Sequence, residues 1–319
     1  ADLWKNPKFI KMFYPHYPSY FVNRYTSMIG DGGTTGRWGL VNNTDLMLLG
    51  YLRTGKPTHL AQRTYYDLKK ANGTILNYDV FTANAGSATA EINSIISQNG
   101  ELVKTSTMQP AYGLTVLHKE GYYDSPATTT NYDTSHAYAI YYGTTKGHGH
   151  PDTLNLDLYG YGISMTPDMG YPVSTNSEPH QVQWVHNTIS HNTVVVNEQE
   201  QSHIDVAFPK HYDDTDMVKV FDVSSPSSYP STTSVYRRST LQIKANDKDS
   251  YGVDFFKVKG GFSHIYSFNV HGNAQPTAVG ISLVSQGSGT YAGTNVPFGN
   301  GPTNGFSWMY DVYKDTTVG

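Results

Sequence analysis

The period of the apolar residues changes once along this chain, near residue 105. Upstream, "NNTDLMLLGYLRTG" (42–55) has a polar start with Asn43 or Thr44 as cap, a dense apolar middle and a glycine stop. "KPTHLAQRTYYDLKKANG" follows, with Pro57 early, Leu60, Ala61, Tyr65 and Leu68 at helical spacing, and Asn72-Gly73 as the stop. "SATAEINSIISQNG" places Ile92, Ile95 and Ile96 on one helical face. Downstream the period is two. "AYGLTVLHKEG", "HAYAIYYGT", "LNLDLYGYG", "HNTVVVNEQ", "MVKVFDV", "STLQIKA" and "YGVDFFKVKGG" read as strands separated by Gly, Pro and Ser turns. A chain patterned in this way folds as an all-α part (1–105) followed by an all-β part (106–319) of stacked antiparallel sheets, an α+β multidomain architecture.

Composition narrows the function. Charged residues make up 15% and aromatics 13%, with 26 tyrosines and no cysteine. The absence of cysteine excludes disulfides and thiolate metal sites without settling the compartment, while few charges and many Tyr, Gly, Ser and Thr suit an extracellular-type β-rich protein. Tyrosine faces also suit sugar stacking, although packing accounts for most of them. The net charge is −4 and no basic block is present, so nucleic acid is not an expected partner. No apolar run is long enough for a membrane-spanning helix. The chain opens "ADLWKNPKFIK" without an initiator Met or an apolar leader. The expectation is a mature secreted or periplasmic protein, or a piece of a longer chain.

One motif concentrates the chemistry. "KGHGHPD" (146–152) runs directly into "TLNLDLYGYG". In an extended segment His148 and His150 would point to the same side. Gly147 and Gly149 leave room for a ligand or another backbone. Such a pair can bind one metal, divide its work between metal and substrate, or simply decorate a turn. Asp168 in "MTPDMGYP" and His191 in "TISHNTVVVN" also fall at strand ends. Two imidazoles and a carboxylate form a zinc-compatible set if they converge. Otherwise Asp168 is a turn aspartate bonding its own backbone, and His191-Asn192 is a strand-start pair satisfying loop carbonyls.

The ordered set "YGLTVLHKEG", "GHGHPDTLNLDLYGYG", "PDMGYP", "WVHNTISHNTVVVNEQEQ" and "VYRRSTLQIK…VDFFKVKGGFSHIYSFNVHG" resembles the β-sheet domain of heparinase II/III-like polysaccharide lyases. The resemblance covers roughly residues 108–272, and more weakly the helical part through "MIGDGGTTGR". It implies the C-terminal part of an incomplete α/α toroid followed by an antiparallel β-sandwich. It implies His148 as a catalytic histidine, and His150, Asp168 and His191 as ligands of one divalent metal, usually zinc, in a positioning role. The implied reaction is β-elimination at a uronic acid, with an acidic polysaccharide as substrate. The family's principal tyrosine base has no matching context here. Tyr14 and Tyr25 are loop aromatics, so the expectation places that tyrosine, and further N-terminal helices, upstream of Ala1.

Substrate-binding candidates are Arg37, a fork of donors in a glycine-rich cleft loop, and Trp184, a sugar platform or a packed ring. "GDGGTTGR" lacks the Lys-Ser/Thr of a phosphate-binding loop. Arg237-Arg238, His264 and His271 match sheet motifs and read as structural. With 22 Lys plus Arg against 26 Asp plus Glu and a pI near 6.3, the charge favours alginate over the densely sulfated heparin or heparan sulfate, which is the alternative. Two other classes stay open: a non-catalytic carbohydrate-binding β-protein, and a cupin-type metal oxidoreductase. The latter would want a Glu where "PDTLNLD" supplies only Asp152 and Asp157.

Overall fold

The fold is described from a computed structural model. It describes residues 2–13, 20–21, 25–32, 44–70, 85–100, 103–119, 122–123, 136–171, 178–272 and 277–317. Arg37 and Tyr14 lie outside these residues, as do the proposed Asn43 cap and the Asn72-Gly73 stop.

Among the described residues, a single-turn helix, Pro7–Ile10, and three longer ones, Thr44–Arg53, Thr58–Lys70 and Ala85–Asn99, precede the sheets. Their apolar stripes meet in one cluster, where Leu48, Tyr51, Leu60, Ala61, Ala88 and Ile92 are buried with Phe13. The expected glycine stop is present after the first of the longer helices, and the third ends in the same way. Gly55 and Gly100 take φ of +83° and +77°, and the Gly100 N–H donates back to the Ile96 carbonyl at 2.8 Å. Only glycine adopts this left-handed geometry without a Cβ penalty.

Among the described residues two larger antiparallel sheets follow, each a meander apart from Tyr122–Tyr123, which interrupts the first and pairs instead with Val103–Lys104. The first orders Thr107–Gln109, Leu114–His118, His136–Tyr141, Asn155–Gly160 and Ile163–Ser164. The second orders Phe208–Asp214, Val218–Ser224, Thr233–Lys244 and Ser250–Gly260. Val194–Val196 pairs with His264–Tyr266 in a separate two-stranded ribbon. The sheets share a core. Leu117, Ile140, Tyr142 and Leu156 of the first sheet and its flanks are buried with Phe221, Val223 and Tyr236 of the second, and with Val194 and Val196. Tyr142 and Phe221 meet ring to ring at 5.1 Å. This is sheet-on-sheet packing, driven by the apolar inner faces.

The alternation Leu154/Leu156/Leu158 against Asn155/Asp157/Tyr159 does not separate a core face from a wet face. Asn155, Asp157 and Tyr159 are buried as well. Their side of the sheet holds a second cluster, with Leu114, Val116, Ala137, Ala139 and Tyr159, and Ile29 from the N-terminal part packs on it. A buried polar row must be satisfied internally. Asn155 Nδ2 donates to Asp157 Oδ1 at 2.9 Å, and Asn155 Oδ1 accepts from the Asn192 backbone N–H at 2.8 Å.

Arg238 fastens this assembly from behind. Its guanidinium is fully buried and forks onto Asp254, with Nε to Oδ1 at 2.8 Å and Nη2 to Oδ2 at 3.0 Å. Nη1 donates to the carbonyls of Leu154 and Asn192 at 2.6 and 2.5 Å, and Nη2 also reaches the Tyr266 hydroxyl at 2.8 Å. The structural reading of Arg238 therefore holds. Leu154 sits at φ +67°, a sparsely populated conformation for a side chain of this size. The Arg238 bond to its carbonyl is one of the contacts that hold it there. Among the described residues, no helix is long and apolar enough to cross a membrane.

Candidate metal centre

Three segments deliver the buried ligand set. His150 lies in the turn before the strand Asn155–Gly160. Asp168 follows the short strand Ile163–Ser164. His191 caps a 3-10 turn, Thr188–Ser190, ahead of Val194–Val196. Asn187 starts that turn by accepting from the Ile189 N–H at 3.3 Å, an N-cap contact. Thr188 Oγ1 donates to the Pro151 carbonyl at 2.7 Å, tying the His191 segment to the His150 segment.

The three side chains gather around one point and are fully buried, with ligand atoms mutually within 4.8 Å. His150 Nδ1 is 3.1 Å from His191 Nε2 and 3.3 Å from Asp168 Oδ1. His191 Nε2 is 3.0 Å from Asp168 Oδ2. Donors about 2.0–2.1 Å from a tetrahedral zinc stand roughly 3.3 Å apart, so these spacings fit such an ion.

The donor chemistry fits too. His191 Nδ1 donates to the Asn187 carbonyl at 2.9 Å, which leaves Nε2 as a lone pair in neutral imidazole. His150 Nε2 faces the Asp31 carboxylate at 3.4 Å, which leaves Nδ1 as its lone pair. Asp168 Oδ2 is buried, and despite its proximity to His191 it makes no aligned hydrogen bond. Two lone pairs and a carboxylate oxygen facing one another demand a positive charge between them, either a proton or a cation.

The electrostatics say the same. Burial alone would raise Asp168, but positive charge on His191 and the close approach of both imidazoles hold it well below the usual carboxylate range. Burial lowers His191, and Asp168 overcomes this, carrying the imidazole up to about 9. The neighbouring carboxyls go the other way. Burial pushes Asp157 well above its ordinary value and Asp152 to about 7. Asp168 is thus the one of these three carboxyls that keeps its negative charge to hold a cation.

The alternative readings of these residues are also realised. Asp168 Oδ1 accepts from the Gly170 N–H at 2.8 Å, the aspartate turn. Asn192 Nδ2 donates to the Leu156 carbonyl at 3.1 Å. Asp168 and His191 are each held by a local backbone bond, and His150 by the Asp31 carboxylate, contacts that orient the three side chains.

His148 and His150 do not share an environment. The segment is a turn rather than extended chain, with Gly147 at φ +70° and the Gly149 N–H on the Lys146 carbonyl at 3.2 Å. The His148 side chain is 88% exposed while that of His150 is fully buried. They meet again through Asp31. Its Oδ2 lies 2.9 Å from His148 Nδ1, and its Oδ1 lies 3.4 Å from His150 Nε2 and 3.3 Å from His186 Nε2. Asp31, His150 and His186 form a second group of convergent donors. Burial would raise the Asp31 carboxyl, but hydrogen bonds from His148, His150 and His186 bring it below the usual range.

Sequence reasoning missed Asp31 and His186. His186 stands in "WVHNTISHN", five residues before His191, and that repetition was a usable signal. Asp31 stands in the "GDGG" loop, where attention fell on Arg37, and nothing local marks a contact spanning more than a hundred residues. Trp184 lies in a π-helical turn, Gln181–Val185, partly buried against Ile189, Val195 and Phe306. Tyr25 lies in the short strand Tyr25–Thr26.

A family model described as heparinase II/III-like, C-terminal, matches residues 128–304, more than half of the chain. The chain belongs to the heparinase II/III-like family. Solved structures share the fold. They include the heparinase III BT4657 gene product, at 15% identity, covering 88% of this chain and 37% of that one, TM-score 0.56. Another is a heparinase III at 15% identity, 88% and 37% coverage, TM-score 0.50. The chain also matches, more loosely, the heparan sulfate lyase HepC from Pedobacter heparinus, at 18% identity, 76% and 30% coverage, TM-score 0.47, a likeness too loose to carry the fold. This heparinase II/III-like chain therefore spans about a third of the length of these structures. No curated protein gives a significant match.

Proposed function

We propose that this chain carries the sheet domain and metal centre of a secreted or periplasmic polysaccharide lyase acting on a uronic-acid-containing glycosaminoglycan of the heparin/heparan sulfate group. The observation that carries the reading is the buried His150–Asp168–His191 trio beside an exposed histidine, His148, in a member of this family. In the same reading, residues 1–105 are the end of a helical toroid and residues 106–319 the sheet domain. Tyrosine chemistry is supplied from outside this sequence. The charge balance that pointed to alginate finds no support among the relatives, whose names are heparinases.

The reaction removes the C5 proton of the uronate, forms the C4–C5 double bond and expels the 4-O glycosidic oxygen, which takes up a proton. It needs a partner for the carboxylate, a base at C5 and an acid at O4. Asp31 holds His148 through Nδ1. Its Nε2 has no partner among the described residues and is offered to the substrate. There its lone pair accepts the C5 proton or, when both ring nitrogens carry a proton, Nε2–H donates to the uronate carboxylate, according to the sugar's epimer. The trio would hold a zinc-like divalent ion, whose contribution is to clamp the turn that presents His148. Arg238 holds the same turn from the other side through the Leu154 carbonyl.

The test is incubation of the full-length protein with heparin, heparan sulfate, hyaluronan and alginate while following the ultraviolet absorbance of an unsaturated uronate. Absorbance rising with a heparin-type polymer is the expected result. A rise with alginate alone would overturn the substrate class. No rise with any of the four would overturn the lyase reading.

A further inference from the structure

We infer that Asp31 is the positioning residue of this site: it sets the tautomer and aim of His148 from a turn locked onto the histidine turn by backbone contact. The inference deepens the lyase reading and rests on it for the role of His148.

The first observation is backbone geometry. The Asp31 N–H donates to the His148 carbonyl at 2.9 Å. Gly30, at φ +55°, is pressed against the same peptide. A Cβ built there would lie 2.2 Å from the His148 carbonyl oxygen and 2.9 Å from Gly149 Cα. Those are distances that real side chains do not occupy, so the approach requires glycine. Gly149 is equally enclosed on its far side, with a built Cβ 2.7 Å from Thr145 Cα. Two turns, about 117 residues apart in sequence, are therefore keyed together through glycine. The Asp31 carboxylate is not a mobile side chain that happens to touch a histidine.

The second observation is what the carboxylate does from that fixed place. An ionised carboxylate only accepts, so each facing imidazole nitrogen carries the proton. His148 is thereby held as the Nδ1–H form, with the Nε2 lone pair directed away from Asp31. His150 is held as the Nε2–H form, which frees its Nδ1 for the buried centre. His186, at 3.3 Å, shares Oδ1 with His150. One side chain, only 10% exposed, thus assigns opposite tautomers to two histidines two residues apart. A second-sphere carboxylate acts in this way on metal-bound histidine, and its loss costs about 10–100-fold in affinity or activity.

The third observation is placement. The only link between exposed His148 and the buried trio that uses side chains of the described residues passes through Asp31 to His150. Without it, His148 would be a free exposed imidazole on a glycine-flanked turn, able to rotate.

The experiment uses protein labelled with 15N-histidine, and the nitrogen shifts of His148 report which nitrogen carries the proton. The wild type is expected to show the Nδ1–H form. The Nε2–H form in the wild type would overturn the inference without any variant. Asp31→Asn, with folding checked by circular dichroism, is expected to lose the single tautomer. It is also expected to lower kcat about 10–100-fold on whichever uronate polymer the wild type cleaves, and to keep KM and bound metal near wild-type values. Asp31→Glu should recover part of kcat. Gly30→Ala should reproduce the kcat and tautomer changes with the carboxylate still present, because it separates the two turns. Unchanged kcat and tautomer in Asp31→Asn would overturn the inference. Loss of one equivalent of metal in that variant would also overturn it, making Asp31 a ligand. If the wild type cleaves none of the polymers, the lyase reading fails, and the tautomer measurement still decides the role of Asp31.

Discussion

His150 Nδ1 stands 3.1 Å from His191 Nε2, and the outward nitrogen of each ring is already committed, to Asp31 and to the Asn187 carbonyl. Two neutral imidazoles in this arrangement would face each other lone pair to lone pair beside the Asp168 carboxylate. A divalent cation resolves the conflict. Chelation with metal loss confirmed should therefore lower the unfolding temperature, and metal should restore it. A ligand present at about a hundred times its dissociation constant stabilises by about 2.7 kcal/mol. His150→Ala should abolish metal binding. Thermal unfolding that is indifferent to exhaustive chelation would contradict the metal assignment.

His148 is expected to separate catalysis from structure. Its side chain is 88% exposed, and among the described residues its one side-chain hydrogen bond goes to Asp31. His148→Ala should reduce turnover by about 100-fold or more, the scale of a lost acid–base or electrostatic group. Metal content and unfolding midpoint should stay within error of wild type. Loss of metal in this variant would mean that His148 belongs to the buried set.

Arg238→Met should destabilise by about 3 kcal/mol, the low end for losing one partner of a buried ion pair, because among the described residues Asp254 is left with only the Thr240 and Tyr266 hydroxyls. It also strips the donor from the Leu154 and Asn192 carbonyls, on the segments that carry His150 and His191. The change should show as a lower urea midpoint with unaltered slope, together with weaker metal binding. Arg237→Met offers the contrast. Arg237 pairs with Asp222 from a half-exposed position, where an ion pair contributes about 1 kcal/mol or less.

The order of helices and strands was legible because it depends on local spacing. Leu60 and Ala61, or Leu154 and Leu156, announce their elements without knowledge of the rest. The trio was legible for another reason. His150, Asp168 and His191 each sit where a strand begins or ends, and the family resemblance tied the three motifs together. What could not be read was burial on both sides of the Asn155–Gly160 strand. Polar Asn155 and Asp157 look like solvent positions until Ile29 and the ligand turns cover them. Asp31 was invisible because its role arises from Gly30 fitting against the His148 peptide, a contact with no sequence period. The same-side expectation for His148 and His150 failed because Gly147 turns the chain, so the pair splits between solvent and core.

His136 gives a pH dependence that does not involve the metal. It opens the third strand of the first sheet, with Nδ1 2.6 Å from Ser250 Oγ and Nε2 buried without a hydrogen bond. Burial, reinforced by the Lys119 charge, holds its pKa below the ordinary 6.5. Above pH 6.5 the imidazole is neutral in the folded and unfolded chain alike, so its full contribution is present. As pH falls below 6.5 the unfolded chain takes up a proton that the folded chain refuses, and stability is lost until the folded value is reached. Urea unfolding measured from pH 7.5 downward should therefore decline through this window. His136→Gln, which keeps a polar partner for Ser250 and cannot titrate, should make the decline shallower. An identical slope in the variant would show that His136 takes its proton equally in both states.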